Sequence, residues 1–498
     1  MADGSINVAQ FLLSGKDPAR TALLFVRDRY SYGDLRRRAA QVGQAILGIG
    51  GRKGDRVLLI GENSFFWVST YLGILQAGLV CVPLPTGLAS SDMEYVVRTT
   101  EPRAIFIEGN IDSLKTQDLA QVRVITDAEI NALAADCKSN WSFPTIDADD
   151  LAALMFTSGS TGQPRGVMVS HGNIIANTES IISYLRLTKE DRILTVLPFH
   201  YCFGTSLLHT HLRVGGSLVI EHRFMYPETV LQRMIETACT GFAGVPSHFQ
   251  LLLRNSILQK KRFPHLRYVQ QAGGHLPPSA IRELRASLPS TEIFIMYGQT
   301  EATARLSYLP PDYLPDKIGS IGRGIPGVNL RVVNEAGRDV RPGEIGEIVA
   351  RGANVTRGYW RAPQETAESF RDGELRTGDL ATVDHDGFIY IAGRAKDFMK
   401  CRGERVSCRH LEEELLAFGE LLEAAVIPVP DILSGEVARA FVVPRSQEHD
   451  GLEERLTDFL KARLPSHLIP KQLVVLPALP RNSAGKVLKA NLRPPEAL

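Results

Sequence analysis

Leu154-Met-Phe-Thr-Ser-Gly-Ser-Thr-Gly-Gln-Pro-Arg-Gly-Val-Met-Val-Ser-His-Gly-Asn173 is the stretch whose reading decides the fold. An apolar run, Leu151 to Phe156, reads as a buried strand. It feeds a loop of Thr157, Ser158, Gly159, Ser160, Thr161 and Gly162; Arg165 and Gly166 follow, then a second apolar run. Small residues let backbone N–H groups converge on an anion, hydroxyls add donors, and Arg165 supplies a cation. The spacing is not that of the phosphate loop with a Gly-Lys-Ser/Thr end. A flexible Ser/Gly turn is the plainer alternative. Two flanking strands and the Pro-Arg-Gly that closes the string argue for an anion cradle instead.

Outward from this loop, helical and strand patterns alternate, which predicts an α/β fold with largely parallel sheets. Leu35, Ala39, Val42 and Ile46 form a helical stripe after Ser31, an N-cap with Asp34 three residues on, and Gly48, Gly50 and Gly51 close it. Arg56–Ile60 reads as a buried strand, as does Glu292–Met296 after a helix through Ile281, Leu284 and Leu288. Tyr71 to Pro85 is apolar but broken by Gln76 and Pro83, so it reads as a buried helix running into a strand and not as a membrane span. From about Gly319 to Arg394 the chain turns Gly-rich with short alternating strands: Asn329–Val333, Glu344–Ala350 and Gly387–Ile391. The last hundred residues read as a small α+β unit. It has helices at Leu411–Phe418 and Leu452–Leu464 and strands at Ala424–Pro428, Ala438–Val443 and Gln472–Leu476. The expected organisation is a large domain, 1–395, of stacked α/β subdomains with a β-rich part at about 319–395. A small mobile domain, 396–498, follows a joint near Gly393–Asp397.

Composition excludes several classes. Of 498 residues, 44% are hydrophobic and 22% charged, which rules out a disordered chain or a fibre. The net charge of +1 gives no global field toward nucleic acid or an anionic membrane, so neither is an expected partner. The six cysteines are scattered with no CxxC, which fits a reducing compartment better than a disulfide or zinc framework. Met-Ala-Asp-Gly-Ser at the start lacks the pattern of a signal peptide, so the expected location is the cytoplasm, as a monomer or homodimer. The sequons at Asn140 and Asn354 then carry little weight. Gly322-Arg-Gly-Ile-Pro-Gly327 fits GxGxxG, but Val328 to Val333 after it reads as a strand, which argues against a dinucleotide site.

The Ser/Gly loop resembles the signature loop of the adenylate-forming superfamily, which includes acyl-CoA synthetases, adenylation domains of peptide synthetases and luciferases. The usual form is TSGSTGxPKG, and here Arg165 stands for the lysine, which keeps the charge and changes the geometry. Further segments resemble the family in order, so the resemblance covers nearly the whole chain. Tyr297-Gly298-Gln299-Thr300-Glu301-Ala-Thr303 is similar to the motif whose tyrosine stacks on adenine. There Thr300 would bond the α-phosphate and Glu301 would hold Mg²⁺. Arg376-Thr-Gly-Asp379 matches the segment whose aspartate binds the ribose hydroxyls, with Arg394 reaching the same ribose. Lys396 falls on the hinge position. Pro480-Arg-Asn-Ser-Ala-Gly-Lys486 resembles the loop whose lysine meets the carboxylate and the α-phosphate. Lys400-Cys-Arg-Gly403 resembles the loop that lines the thiol tunnel, with Gly403 letting a pantetheine arm pass.

The resemblance implies two half-reactions. A carboxylate attacks the α-phosphorus of Mg·ATP to give acyl-AMP and pyrophosphate; a thiol then displaces AMP. The carboxylate is already ionised, so alignment and charge neutralisation matter more than a general base. Lys486, Thr300 and Glu301 would serve the first half, and Lys400 the second after a rotation of the small domain. The acid pocket is expected at His200, Tyr201, Cys202, Phe203 and Gly204, with Ser247, Ala272, Gly273, Gly274 and Gly298. No acidic residue occurs from Arg192 through Ile220, so an α-amino acid is disfavoured. Cys202 stands where relatives that activate 2-hydroxybenzoates carry Asn, so those acids lose support too. Tyr201 replaces a common histidine, and His200 precedes it. An apolar acid, aryl or fatty, remains, unless His200 and Tyr201 are simply core packing. The acceptor is read as CoA. A phosphopantetheine carrier protein, an amine, or a non-catalytic nucleotide-binding relative are the alternatives.

Overall fold

The computed structural model describes residues 7–108, 122–135, 143–158, 164–222, 224–394, 398–401, 404–431, 434–446, 450–481 and 487–492. Among these, the first sheet has nine strands: Arg323–Gly324, Ser307–Leu309, Glu292–Tyr297, Tyr268–Gln271, Gly241–Gly244, Arg192–Thr195, Ser217–Ile220, Thr21–Leu24 and Arg29–Ser31, in that order. The six from Glu292–Tyr297 to Thr21–Leu24 are mutually parallel, and antiparallel strands edge them. The second sheet runs Arg123–Ile125, Ala104–Ile107, Arg56–Ile60, Val80–Leu84, Leu151–Ser158 and Pro164–Ser170. It is parallel until the last pair, which folds back as an antiparallel hairpin. Strands such as Val80–Leu84 are buried along their whole length, as expected for parallel sheets covered on both faces.

Local chemistry starts the helices where the sequence says. Ser31 and Asp34 form a complete capping box for Tyr32–Gly48, and Ser170 and Asn173 form another for His171–Leu185. Helix Phe65–Gln76 is buried almost all round, so it lies inside the protein and feeds strand Val80–Leu84. The two sheets share one core, which holds Leu23, Ile193 and Leu218 beside Val57, Cys81 and Ala153. No helix among the described residues is long and apolar enough to cross a membrane.

A third sheet is antiparallel throughout: Val328–Val333, Gly346–Gly352, Glu374–Val383 and Phe370–Arg371, with Ile389–Arg394 on Glu374–Val383. The segment 322–327 leads into strand Val328–Val333 and not into a helix, so it is no dinucleotide loop. Expected strand bounds shift here: 344–350 becomes Gly346–Gly352, and 387–391 becomes Ile389–Arg394, because Gly387 closes a turn onto Asp384. The fourth sheet, Glu404–Ser407, Phe398–Cys401, Gly435–Pro444 and Leu421–Asp431 with Gln472–Val475, has its own core of Met399, Leu411, Leu415, Val426, Leu456 and Leu460. The Ser407 hydroxyl caps the helix Cys408–Leu416, so it starts three residues earlier than its apolar stripe suggested. Both helices of this unit also end earlier than expected, at Leu416 and Lys461.

Candidate active site

Gly298 sits where strand Glu292–Tyr297 ends, and a Cβ there would stand 2.0 Å from the Ala304 carbonyl oxygen. Only glycine allows the chain to fold back that tightly. The short 3-10 turn Thr300–Ala302 follows, with Thr303 at φ +67°. The Thr303 hydroxyl donates to Asn354 O at 2.6 Å, and Asn354 Nδ2 donates to Ala302 O at 3.2 Å and Arg305 O at 2.8 Å. Asn354 is therefore a buried brace of this turn.

On one side of the turn lie Tyr297, Asp379 and Arg394. The Tyr297 hydroxyl donates to Asp379 Oδ2 at 2.6 Å, and Arg394 Nε lies 3.1 Å from Asp379 Oδ1. Asp379 and Arg394 face each other across paired strands, which fixes their distance. Burial and the Asp379 carboxylate hold the Tyr297 phenol well above its usual range, so it stays a donor. On the other side, the Tyr359 hydroxyl donates to Glu301 Oε1 at 2.8 Å. Tyr359 comes from a segment that pairs with Val167 of the loop hairpin, through Met168 N to Gly358 O and Trp360 N to Gly166 O. Arg165 lies over the Tyr359 ring, 5.5 Å from its centroid, and Thr157 pairs with Arg165 across the hairpin. Glu301 Oε2 has no hydrogen-bond partner among the described residues, so one hard oxygen is left for a cation. That suits Mg²⁺, which uses one or two carboxylates alongside substrate phosphates.

Against the same turn packs helix Cys202–Val214. The Thr300 hydroxyl donates to Cys202 Sγ at 3.4 Å, and burial pushes the Cys202 thiol up. His200 is stacked at a tilt on Tyr201, with centroids 4.4 Å apart, and burial lowers it to about 4, so it is neutral at pH 7. Gly204 meets a packing need, since a Cβ there would stand 2.1 Å from Pro198 O. Ala272 is buried after strand Tyr268–Gln271, and Gln271 Nε2 donates to Gly274 O at 2.9 Å. Gly273 and Gly274 pack on Val245 and Pro246, beside Ser247 on helix Pro246–Asn255.

The next residue, His275, joins the fourth sheet's unit to this site. Arg409 Nη2 donates to His275 Nδ1, and His275 Nε2 lies 3.0 Å from Glu413 Oε1. Both partners are on helix Cys408–Leu416. Gly159, Ser160, Thr161, Gly162, Lys396, Gly403 and Lys486 lie outside the described residues, as do the side chains of Ser158 and Lys400. Tyr359, Asn354 and the His275–Arg409–Glu413 cluster were not found from sequence. Each depends on a contact between distant segments, and the residues alone carry no signal of it.

Known proteins align with this arrangement. The sequence profile of the AMP-binding enzyme family matches residues 14–360, and that of the AMP-binding enzyme C-terminal domain matches 410–486. A feruloyl-CoA synthase of Amycolatopsis sp is 32% identical over 96% of both chains. ATP-bound MatB from Rhodopseudomonas palustris superposes with a TM-score of 0.90 at 30% identity, over 98% of both chains. The o-succinylbenzoate CoA synthetase MenE of Bacillus subtilis, solved with its acyl-adenylate intermediate, gives 0.87 at 26% identity, over 99% of this chain and 98% of that one. MenE has also been solved with ATP and a magnesium ion.

Proposed function

The chain belongs to the AMP-binding enzyme family, and on that footing we infer that it joins a carboxylic acid to CoA through an acyl-adenylate. It is an AMP-forming acid–CoA ligase, with ATP, Mg²⁺ and CoA as its co-substrates and metal. The observation that carries this reading is the turn at Thr300–Ala302. One side of it carries the Tyr297–Asp379–Arg394 cluster, the other carries Glu301 held by Tyr359, and Cys202 sits against Thr300. A nucleoside, a metal-bound phosphate and an acid have their separate places around one short segment.

Each residue then has a task. Tyr297 offers its ring to adenine, and Asp379 with Arg394 holds the ribose hydroxyls. Thr300 donates to the α-phosphate, with Thr157 to Gly162 and Arg165 over the outer phosphates. Glu301 would hold Mg²⁺, which when bound would neutralise charge on the phosphate oxygens. Two anions must meet, so the work is alignment and neutralisation. Lys486 meets the carboxylate and the α-phosphate in the first half-reaction. Lys400 and Gly403 take over for the thiol after the small domain turns about Lys396. The acid enters past His200, Tyr201, Cys202 and Phe203, between helix Cys202–Val214 and Ala272–Gly274. Its walls are mostly apolar, which favours aryl or fatty acids over α-amino acids. The cytoplasm is the compartment we propose for the reaction. No observation favours the carrier-protein or amine acceptor.

The test is direct. Purified protein with ATP, Mg²⁺ and a panel of aryl and fatty acids should exchange pyrophosphate into ATP, and added CoA should yield AMP and an acyl-CoA in equal amounts. Exchange without any thioester on adding CoA would discard CoA as the acceptor.

A further inference from the structure

Arg305 is among the largest fully buried side chains of the protein, at 1% exposure. Its guanidinium is permanently charged. Among the described residues Nε and Nη2 have no hydrogen-bond partner and no carboxylate pairs with it. Its polar neighbour is the Tyr184 hydroxyl, which takes a hydrogen bond from the guanidinium, and Cys202 feels its charge as well. Burial holds the Tyr184 phenol up at about 12 and pushes the Cys202 thiol up, so neither is an anion at neutral pH. The Tyr184 hydroxyl itself donates to Met296 Sδ at 3.2 Å. A buried cation that meets a neutral hydroxyl and a ring but no carboxylate is costly, and an incoming anion would relieve that cost.

Its position indicates which anion. The guanidinium lies over the Phe203 ring, 4.2 Å from the centroid. Its Cα would stand 2.8 Å from a Cβ on Gly298. Its carbonyl is pinned by Asn177 Nδ2 at 3.2 Å and Asn354 Nδ2 at 2.8 Å, so the backbone cannot swing the charge away. Cys202 and Thr303, two residues back, both line a small cavity with Asn177 and His209. Arg305 thus stands among residues of the proposed acid pocket. The Tyr297–Asp379–Arg394 cluster lies at the other end of the same segment.

We propose that Arg305 is a specificity residue that recognises a second anionic group, a carboxylate or equivalent oxyanion, at the far end of the acid. The substrate then has an apolar body against Phe203 and a charged tail on Arg305. The reacting carboxylate lies at Thr300, beside Cys202. This inference rests on the acid pocket proposed above.

The experiment compares acid-dependent pyrophosphate exchange on matched pairs: straight-chain dicarboxylates of four to ten carbons against the monocarboxylates of the same length, and 4-carboxycinnamate against cinnamate. The wild type should favour the dianionic member of its best pair by tenfold or more in kcat/KM. Arg305→Met should lose about 10²-fold on that member while holding or gaining on its partner, because truncating one partner of a buried, hydrogen-bonded charge pair costs at least that order. Arg305→Lys keeps the charge but not the fork, and should keep the preference while cutting it roughly tenfold. Preference of the wild type for monocarboxylates, or no turnover of either series, overturns the proposal. So does an equal loss on both members in Arg305→Met at unchanged melting temperature, which would place the reacting carboxylate on Arg305. If Arg305→Met does not fold, an equal loss on both members in Arg305→Lys overturns it in the same way. Cys202→Leu separates the premise from the proposal. An unchanged acid spectrum there sinks the pocket itself, whereas a changed spectrum with no discrimination at Arg305 sinks this inference alone.

Discussion

The Tyr359 hydroxyl donates to Glu301 Oε1 and so leaves Oε2 for the proposed metal, while Arg165 over the Tyr359 ring ties both to the hairpin Leu151–Ser158 and Pro164–Ser170. Tyr359→Phe keeps the ring and removes the donor. A hydrogen bond to a charged group is worth roughly 1.5–3 kcal/mol, so adenylation should fall about ten- to a hundredfold with a raised Mg²⁺ requirement. Titrating Mg²⁺ in the exchange assay checks this; an unchanged requirement would remove Tyr359 from the metal site. Buried histidines make a second prediction at this scale. His171, His200, His211 and His248 are lowered by burial to about 4 and His209 to about 3. A histidine depressed in the folded state supports the fold above its ordinary value near 6.5 and loses that support as pH falls toward 4. Full protonation of each costs roughly 3–5 kcal/mol. Stability to urea should therefore drop steeply between pH 6.5 and 4. His209→Gln, which removes the ring bonded to the Tyr71 hydroxyl at 2.9 Å, should flatten that slope by about one proton. An unaltered slope would mean that His209 does not titrate with unfolding.

At the scale of elements, much was legible because local rules and burial agreed. Arg56–Ile60 is a strand with the expected bounds, and Ser31 caps its helix through Asp34 as read. The hairpin around the Ser/Gly loop, the decoy at 322–327 and the helix–strand passage through 71–85 were likewise readable from periodicity and breakers. What stayed hidden was the geometry between elements. Nothing in Gly358-Tyr359-Trp360 announces that it will pair with Val167, 192 positions earlier, and nothing in Arg305 announces that among the described residues it will have no carboxylate beside it. The two lysine loops of the small domain are the element-scale prediction. Lys486→Ala should lower acyl-AMP formation by roughly 10²–10³ yet still convert supplied acyl-AMP to thioester. Lys400→Ala should show the opposite bias. Assaying both half-reactions on both variants decides it, and an equal loss of the two in Lys486→Ala would end the division of labour.

At the scale of the whole molecule, helix Cys408–Leu416 of the small unit touches the large one beside the proposed acid pocket. Arg409 and Glu413 of Cys408–Leu416 hold His275, directly after Gly274. Burial lowers the His275 imidazole, with Glu413 pulling the other way, so its Nδ1 is free to accept from Arg409 near neutral pH. If the small domain serves both half-reactions as proposed, it makes such contacts in one state and releases them in the other. The strands Ile389–Arg394 and Phe398–Cys401 belong to different sheets, and we propose Lys396, at the joint between the two units, as the hinge. Proline fixes φ near −65° and removes an N–H. Lys396→Pro should therefore trap one arrangement, most simply the adenylating one. Pyrophosphate exchange should persist within about tenfold while thioester synthesis collapses and the melting temperature holds. A rigid linker would behave differently: proline would leave both half-reactions intact, or lower them together with stability. Measuring the two half-reactions and the melting temperature on that one variant distinguishes the cases, and parallel losses or none would move the pivot away from Lys396.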